Sequence, residues 1–267
     1  MTRMVANPML ANKSGAQDFV APDFFAQQPW LGGCADRPSV LRQFESDDHR
    51  TMPLSQRFRH RLIRHHLPLT VACAIAVPLI AIGVLDGKPA FRWSMATAYV
   101  ALILLAITLS IGPWYALKLR RAPLSSDLRR DFGIWTGLIS LAHVAIGLQA
   151  HMGSMLLYFF VGTADGRWTL RVDAFGLTNW VGLGATCVFV LLLALSNDWS
   201  LRRLGRKRWK SLQRYVYPSA LFVVLHGVVY QVLEQRSSRW VLVFASTVVF
   251  VAVVQSLGYR QARTHSS

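Results

Sequence analysis

Acidic residues are scarce: 13 Asp and Glu stand against 29 Lys and Arg, which leaves a formal charge of +16 over 267 residues. Cysteine is scarcer still. Cys34, Cys73 and Cys187 form no C-x-x-C and no even-numbered framework, which argues against both a disulfide scaffold and a zinc site. No glycine fingerprint for a nucleotide survives inspection, because Gly182-x-Gly184 has no strand before it and no third glycine after it. Met1 to Phe25 lacks the apolar stretch of about 7 to 15 residues that a secretory signal requires, so the amino-terminal segment is expected to be retained.

What is present is apolar. Hydrophobic residues make up 53% of the chain, and yet the charge is high, so the two must occupy different segments. A nucleic-acid-binding chain of this charge would need a soluble basic face with interleaved aromatics. Here the cations sit in short clusters between apolar runs, which excludes nucleic acid as the expected partner and points to membrane lipid. Six runs are long enough to span a bilayer: Leu67 to Leu85, Trp93 to Leu117, Asp131 to Met155, Thr178 to Asn197, Tyr215 to Glu234, and Trp240 to Leu257. Pro78 lies inside the first, and Gly112-Pro113 is expected to break the second near its end. The fold class expected is therefore an all-α membrane protein, a six-transmembrane-helix bundle.

Charge sets the orientation. The strongest Lys/Arg clusters lie before the first span, after the second, after the fourth and after the sixth, so both termini are expected in the cytoplasm. Residues 1–56, rich in Pro, Gln, Asp, Ser and Asn, are expected to be a disordered cytoplasmic tail. Residues 57–260 form the membrane domain, and 261–267 a short second tail. The run Arg57, Arg59, His60, Arg61, Arg64, His65, His66 is read as a membrane-surface topology signal with no ligand role. Arg202 to Arg214, the densest cationic stretch, is expected to meet anionic lipid or an acidic donor protein.

Two histidines stand in the middle of apolar spans, His143 in the third and His226 in the fifth. An imidazole within hydrocarbon is costly unless it faces the bundle interior with a partner, so each is a candidate functional residue. The two spans run in the same direction. His143 lies about 20 Å above Arg130 and His226 about 18 Å above Arg214 by helical rise, at matched depth. Around the third helix, Thr136, Gly137, Ser140, His143, Gly147 and His151 fall within about 120° of arc, a stripe of small and polar residues that admits close approach.

Zinc would ask for three or four protein ligands, and no Cys, Asp or Glu lies at suitable depth in these spans; copper or bare iron would be under-ligated too. A haem brings its own equatorial nitrogens and needs only two axial ligands, and the absence of C-x-x-C-H makes it b-type. His143 and His226 are thus the expected iron ligands. His151, about 12 Å beyond His143, is an alternative ligand, a propionate partner or an interfacial residue. Arg167, Arg171, Arg236 and Arg239, on the outer loops, are candidates to neutralise propionates or to keep those loops soluble.

The segments Arg129-Arg130-Asp131-Phe132-Gly133, Leu141-Ala142-His143, Leu195-Ser196-Asn197, Leu204-Gly205-Arg206, Trp209 through Tyr217, and Val224-Leu225-His226 resemble the ferric-reductase-like transmembrane family. That family includes the haem-binding subunits of bacterial periplasmic methionine sulfoxide reductase systems, the eukaryotic ferric reductases and the NADPH oxidases. The resemblance covers roughly residues 95 to 257. It implies b-haems held between the third and fifth helices, and His143 and His226 correspond to the outer pair. Gln213 stands where the family usually has the inner histidine, and Arg129 or Arg130 stands opposite, so one haem is expected and a second is not.

The function expected is a membrane b-type cytochrome of the inner membrane, an electron-transfer subunit rather than a stand-alone enzyme. It would relay electrons from a separate donor, a quinol or flavoprotein, with FMN or a quinone as further cofactor, to an outer acceptor or a periplasmic reductase partner. The rivals are a non-redox membrane binding module, which would purify colourless, and a haem sensor or transporter, which would exchange its haem easily.

Overall fold

The computed structural model of the chain describes residues 59–83, 87–118, 126–150, 156–164 and 167–264. The tail expected over 1–56 lies outside the described residues, and so does His151. Six helices are long and apolar enough to cross a membrane, as the hydropathy of the sequence requires.

The chain enters through a π-helical turn, Leu62–His66, in which Leu67 N–H reaches five residues back to the Leu62 carbonyl. It continues as α1, Leu67–Gly83. Leu69, Cys73, Val77 and Ala81 repeat every fourth residue and are buried, whereas Leu67, Val71, Ile75, Leu79 and Ile82 are exposed on the opposite side. A helix apolar on both faces is explained by a bilayer on the outer one.

α2, Pro89–Lys118, is the spine. It packs against α3 (Ser126–Ala150), α7 (Ser238–Thr264) and α1, and holds more of the buried apolar side chains than any other element described, Met95 through Leu109 among them. The expected break at Pro113 does not occur, and the helix runs on through it. Proline supplies no N–H for the carbonyl four residues back. Here the Gln255 side chain of α7 donates its amide to that carbonyl, Leu109 O, at 3.0 Å, so the neighbouring helix replaces the missing bond. α7 also extends past residue 260, the expected end of the membrane domain, to Thr264.

The loop after the third span carries a 3-10 turn, Leu156–Phe159, and a two-stranded antiparallel hairpin, β1 (Val161–Ala164) and β2 (Arg167–Leu170), with Val161 opposite Leu170. Asp173 then caps α4, Ala174–Leu195, by accepting the Gly176 N–H at 2.8 Å. The Arg171 guanidinium beside it, together with that N–H, holds the Asp173 carboxyl below the usual carboxylate range.

The cationic stretch after α4 is itself a helix, α5, Asp198–Gln213, capped by Asn197, whose side chain accepts from Ser200 N–H. Leu201, Leu204, Trp209 and Leu212 are half-buried along one side while Arg202, Arg203, Arg206, Lys207, Arg208 and Lys210 are exposed. The spacing is that of an amphipathic helix. Gly205, at φ 71°, kinks it, a conformation that glycine alone adopts without cost. α6, Val216–Leu233, follows and packs against α4.

Candidate cofactor site

Between α2, α3, α4 and α6 lies a cavity of about 290 Å³, open on one side to the outside of the bundle. His143 of α3 and His226 of α6 both line it, so the structure brings together the two histidines that the sequence singles out. The walls are mostly apolar, with Leu102, Leu105, Phe160 and Phe189 among them.

Each ring is fixed by its Nδ1. His143 Nδ1 lies 2.9 Å from the Ser94 carbonyl of α2, with Ser94 Oγ at 3.3 Å. His226 Nδ1 lies 2.9 Å from the Thr178 carbonyl of α4. A carbonyl oxygen can only accept, so each Nδ1 carries the proton and donates it, and each neutral Nε2 keeps a lone pair. This is the arrangement of a metal-binding histidine, in which the second ring nitrogen orients the ring and raises its basicity.

Gly182 makes the second anchor feasible. A Cβ at this position would stand 2.7 Å from His226 Nδ1, so only glycine lets the ring approach the α4 backbone. Gly182 of the Gly182-x-Gly184 pair, which is no nucleotide motif, thus has a steric purpose that depends on a side chain from another helix. On the α3 stripe, Thr136 is buried and its hydroxyl lies 3.3 Å from that of Thr108 in α2, which accounts for that part of the stripe by packing.

Two imidazoles in one apolar cavity, each with a ring nitrogen left over from its carbonyl contact, suit a haem, which brings its other donors itself. No group of three or more His, Cys, Asp or Glu side chains suited to a bare metal ion occurs among the described residues.

No family model matches the chain. Two curated relatives do. The chain is 30% identical over 159 residues to the protein-methionine-sulfoxide reductase heme-binding subunit MsrQ of Rhodospirillum rubrum, covering 56% of this chain and 72% of the relative. The chain belongs to the MsrQ family. A second MsrQ, that of Azospira oryzae, is 35% identical over 127 residues, covering 45% of this chain and 53% of the relative. Membership, together with six spanning-length helices, makes this MsrQ homologue a multi-pass protein of the inner membrane. The family lies within the resemblance drawn from the sequence.

One cluster in this MsrQ homologue escaped the sequence reading. Asp131, at the start of the third span, is fully buried. It accepts a hydrogen bond from Arg61, and His65 Nδ1 lies 2.6 Å and His66 Nε2 3.4 Å from its carboxylate. Trp135 Nε1 donates to His66 Nδ1 at 3.2 Å, which places the His66 proton on Nε2, toward the carboxylate. The π-helical turn aims two successive histidines at one acceptor. Within the Arg/His run, Arg61, His65 and His66 therefore clamp the first span to the third, whereas Arg59, His60 and Arg64 are exposed. Arg130 is also committed, donating to the Ser196 carbonyl at 2.9 and 3.1 Å and to Asp198 at 2.7 Å.

Proposed function

We propose that this chain is the haem-binding membrane subunit of a methionine-sulfoxide reductase system, in which His143 and His226 are the two axial ligands of a single b-type haem. The observation that carries the reading is the pair of Nδ1-to-carbonyl hydrogen bonds, which leave two unprotonated Nε2 atoms in one apolar cavity. When bound, the haem would be held by His143 and His226 and would supply reversible one-electron chemistry.

The protein's part is to position and to insulate. The Ser94 and Thr178 carbonyls hold each imidazole in one tautomer and orientation, and the surrounding leucines and phenylalanines exclude water. Two features support a single haem. Gln213 offers an amide, a poor iron ligand, and the guanidinium of Arg130 is taken up by Ser196 and Asp198. Electrons enter from a separate donor, a quinol, a flavoprotein or a bound FMN, and leave toward a reductase partner on the outer side. The Lys/Arg distribution supports that orientation, with both termini in the cytoplasm.

Reduced-minus-oxidised spectra of the purified protein should show b-type bands, with a haem-to-chain ratio near one by pyridine haemochromogen assay. His143→Ala and His226→Ala should each abolish or strongly shift them. Unaltered bands in both variants would rule out the bis-histidine assignment, and a ratio of two would rule out the single haem.

A further inference from the structure

Four arginines of the outer loops were candidates to meet the carboxylates of a haem, and the structure separates them. Arg171 is tied to Asp173 at 2.6 and 3.3 Å and to the Tyr158 carbonyl at 3.2 Å. Arg167 lies on the exposed strand β2. Arg239 is exposed and sits above the Trp240 ring. Arg236 is the one of the four that lines the cavity.

Its surroundings are unusual for a guanidinium. Arg236 is half-buried over the Phe91 ring, 4.6 Å from its centroid, and among the described residues its side chain donates to one acceptor, the Met95 thioether sulfur at 2.8 Å. A thioether is a weak acceptor, so up to four of the five N–H groups remain for another partner. Burial pulls the Arg236 pKa below its ordinary value, but a guanidinium keeps its charge at neutral pH. Glu234 lies near enough to act on this charge without a salt bridge to it among the described residues, and a half-buried charge so placed gains from a directly bonded anion.

The backbone holds this charge in place at some expense. α6 ends in a Schellman motif, with Arg236 N–H bonded to the Gln231 carbonyl at 3.1 Å and Gln235 N–H to the Val232 carbonyl at 3.2 Å. The residue in the left-handed position is Gln235, at φ 45°, where glycine is the usual occupant. A non-glycine residue is strained there. The motif turns the chain back on itself, so that Arg236 returns toward the cavity instead of continuing outward.

We propose that Arg236 is the anchor and counter-charge for a haem propionate, a carboxylate bound at the polar mouth of the His143/His226 cavity. The inference rests on the haem reading above. Its chemistry is a bidentate guanidinium–carboxylate pair, which fixes the rotation of the macrocycle about the axis joining the histidines and offsets the propionate charge.

The probe is haemin against haemin dimethyl ester, which has the same iron and ring without the carboxylates. Both are titrated into detergent-solubilised protein produced under haem depletion. Wild type should bind haemin roughly ten- to a hundredfold more tightly than the diester, the range for a charge-assisted pair. Arg236→Gln should lose most of that preference by weakening haemin alone, and its midpoint potential should fall because an uncompensated carboxylate favours the ferric state. Arg236→Lys should recover part of the preference, and Arg239→Gln should keep all of it. Equal binding of the two probes by wild type, or an Arg236→Gln variant that retains the preference, would overturn the proposal. So would equal weakening of both probes by Arg236→Gln, the mark of a merely structural role. These failures differ from failure of the haem reading itself, in which neither probe shows uptake sensitive to His143→Ala and His226→Ala.

Discussion

At Gly182 a single absent methyl group decides where the His226 ring can sit. Alanine would put its Cβ 2.7 Å from Nδ1, inside any tolerable contact, so either the ring or α4 must move. Gly182→Ala should cost about 1–3 kcal/mol, as overpacking does, and should lower haem content several-fold because the Thr178 hydrogen bond is displaced. Haem-to-protein ratio and denaturant unfolding in detergent check both effects; a fully loaded, equally stable variant would show that the approach is not needed. The histidines themselves were legible in the sequence, since a titratable ring in a hydrocarbon span is conspicuous. Their anchors were not, because Ser94 and Thr178 act through backbone carbonyls, which any residue type could supply.

Among the elements, helix content followed directly from hydropathy, and the six spans fall close to where apolar run lengths put them. Two elements departed. The sequence alone ends α2 at Pro113, because local chemistry registers the missing N–H; it cannot see Gln255, more than a hundred residues on, donating to Leu109 O. Gln255→Leu should orphan that buried carbonyl and destabilise the bundle by about 1–3 kcal/mol, read by thermal or denaturant unfolding in detergent. No change would mean that α2 tolerates the proline unaided. α5 was read for its charge alone, although half-buried Leu201, Leu204, Trp209 and Leu212 already carry a helical period. Its cations are the exposed side of a formed helix, a firmer platform for anionic lipid than a loop would be.

Over the molecule as a whole, the segment before the first span is fastened to the third by Asp131. Arg61, His65 and His66 lie some 65 to 70 residues away in sequence, so no local pattern announces the cluster. Asp131→Ala would strand the Arg61 charge and should cost about 3–5 kcal/mol, the penalty for breaking a buried pair on one side. A variant as stable as wild type would mean that the clamp contributes nothing. Asp131 did stand in the motif that carried the family resemblance, but as a landmark with no partner assigned.

The packing also divides the bundle in two. α2 and α3 form the most extensive helix pair, with α1 and α7 against α2, while α4 and α6 form another; the α3–α4 seam is thinner, α6 meets α7 locally where Gly227 faces Phe244, and Leu105 and Leu109 of α2 pack with Phe189 and Leu192 of α4. Each half carries one imidazole and the carbonyl that aims it: His143 with Ser94 in the first, His226 with Thr178 in the second. Any molecule gripped by both rings is then a rivet through the two halves, and its binding energy is added to their docking. Supply of such a molecule would thereby govern how firmly the two halves are held together in the bilayer.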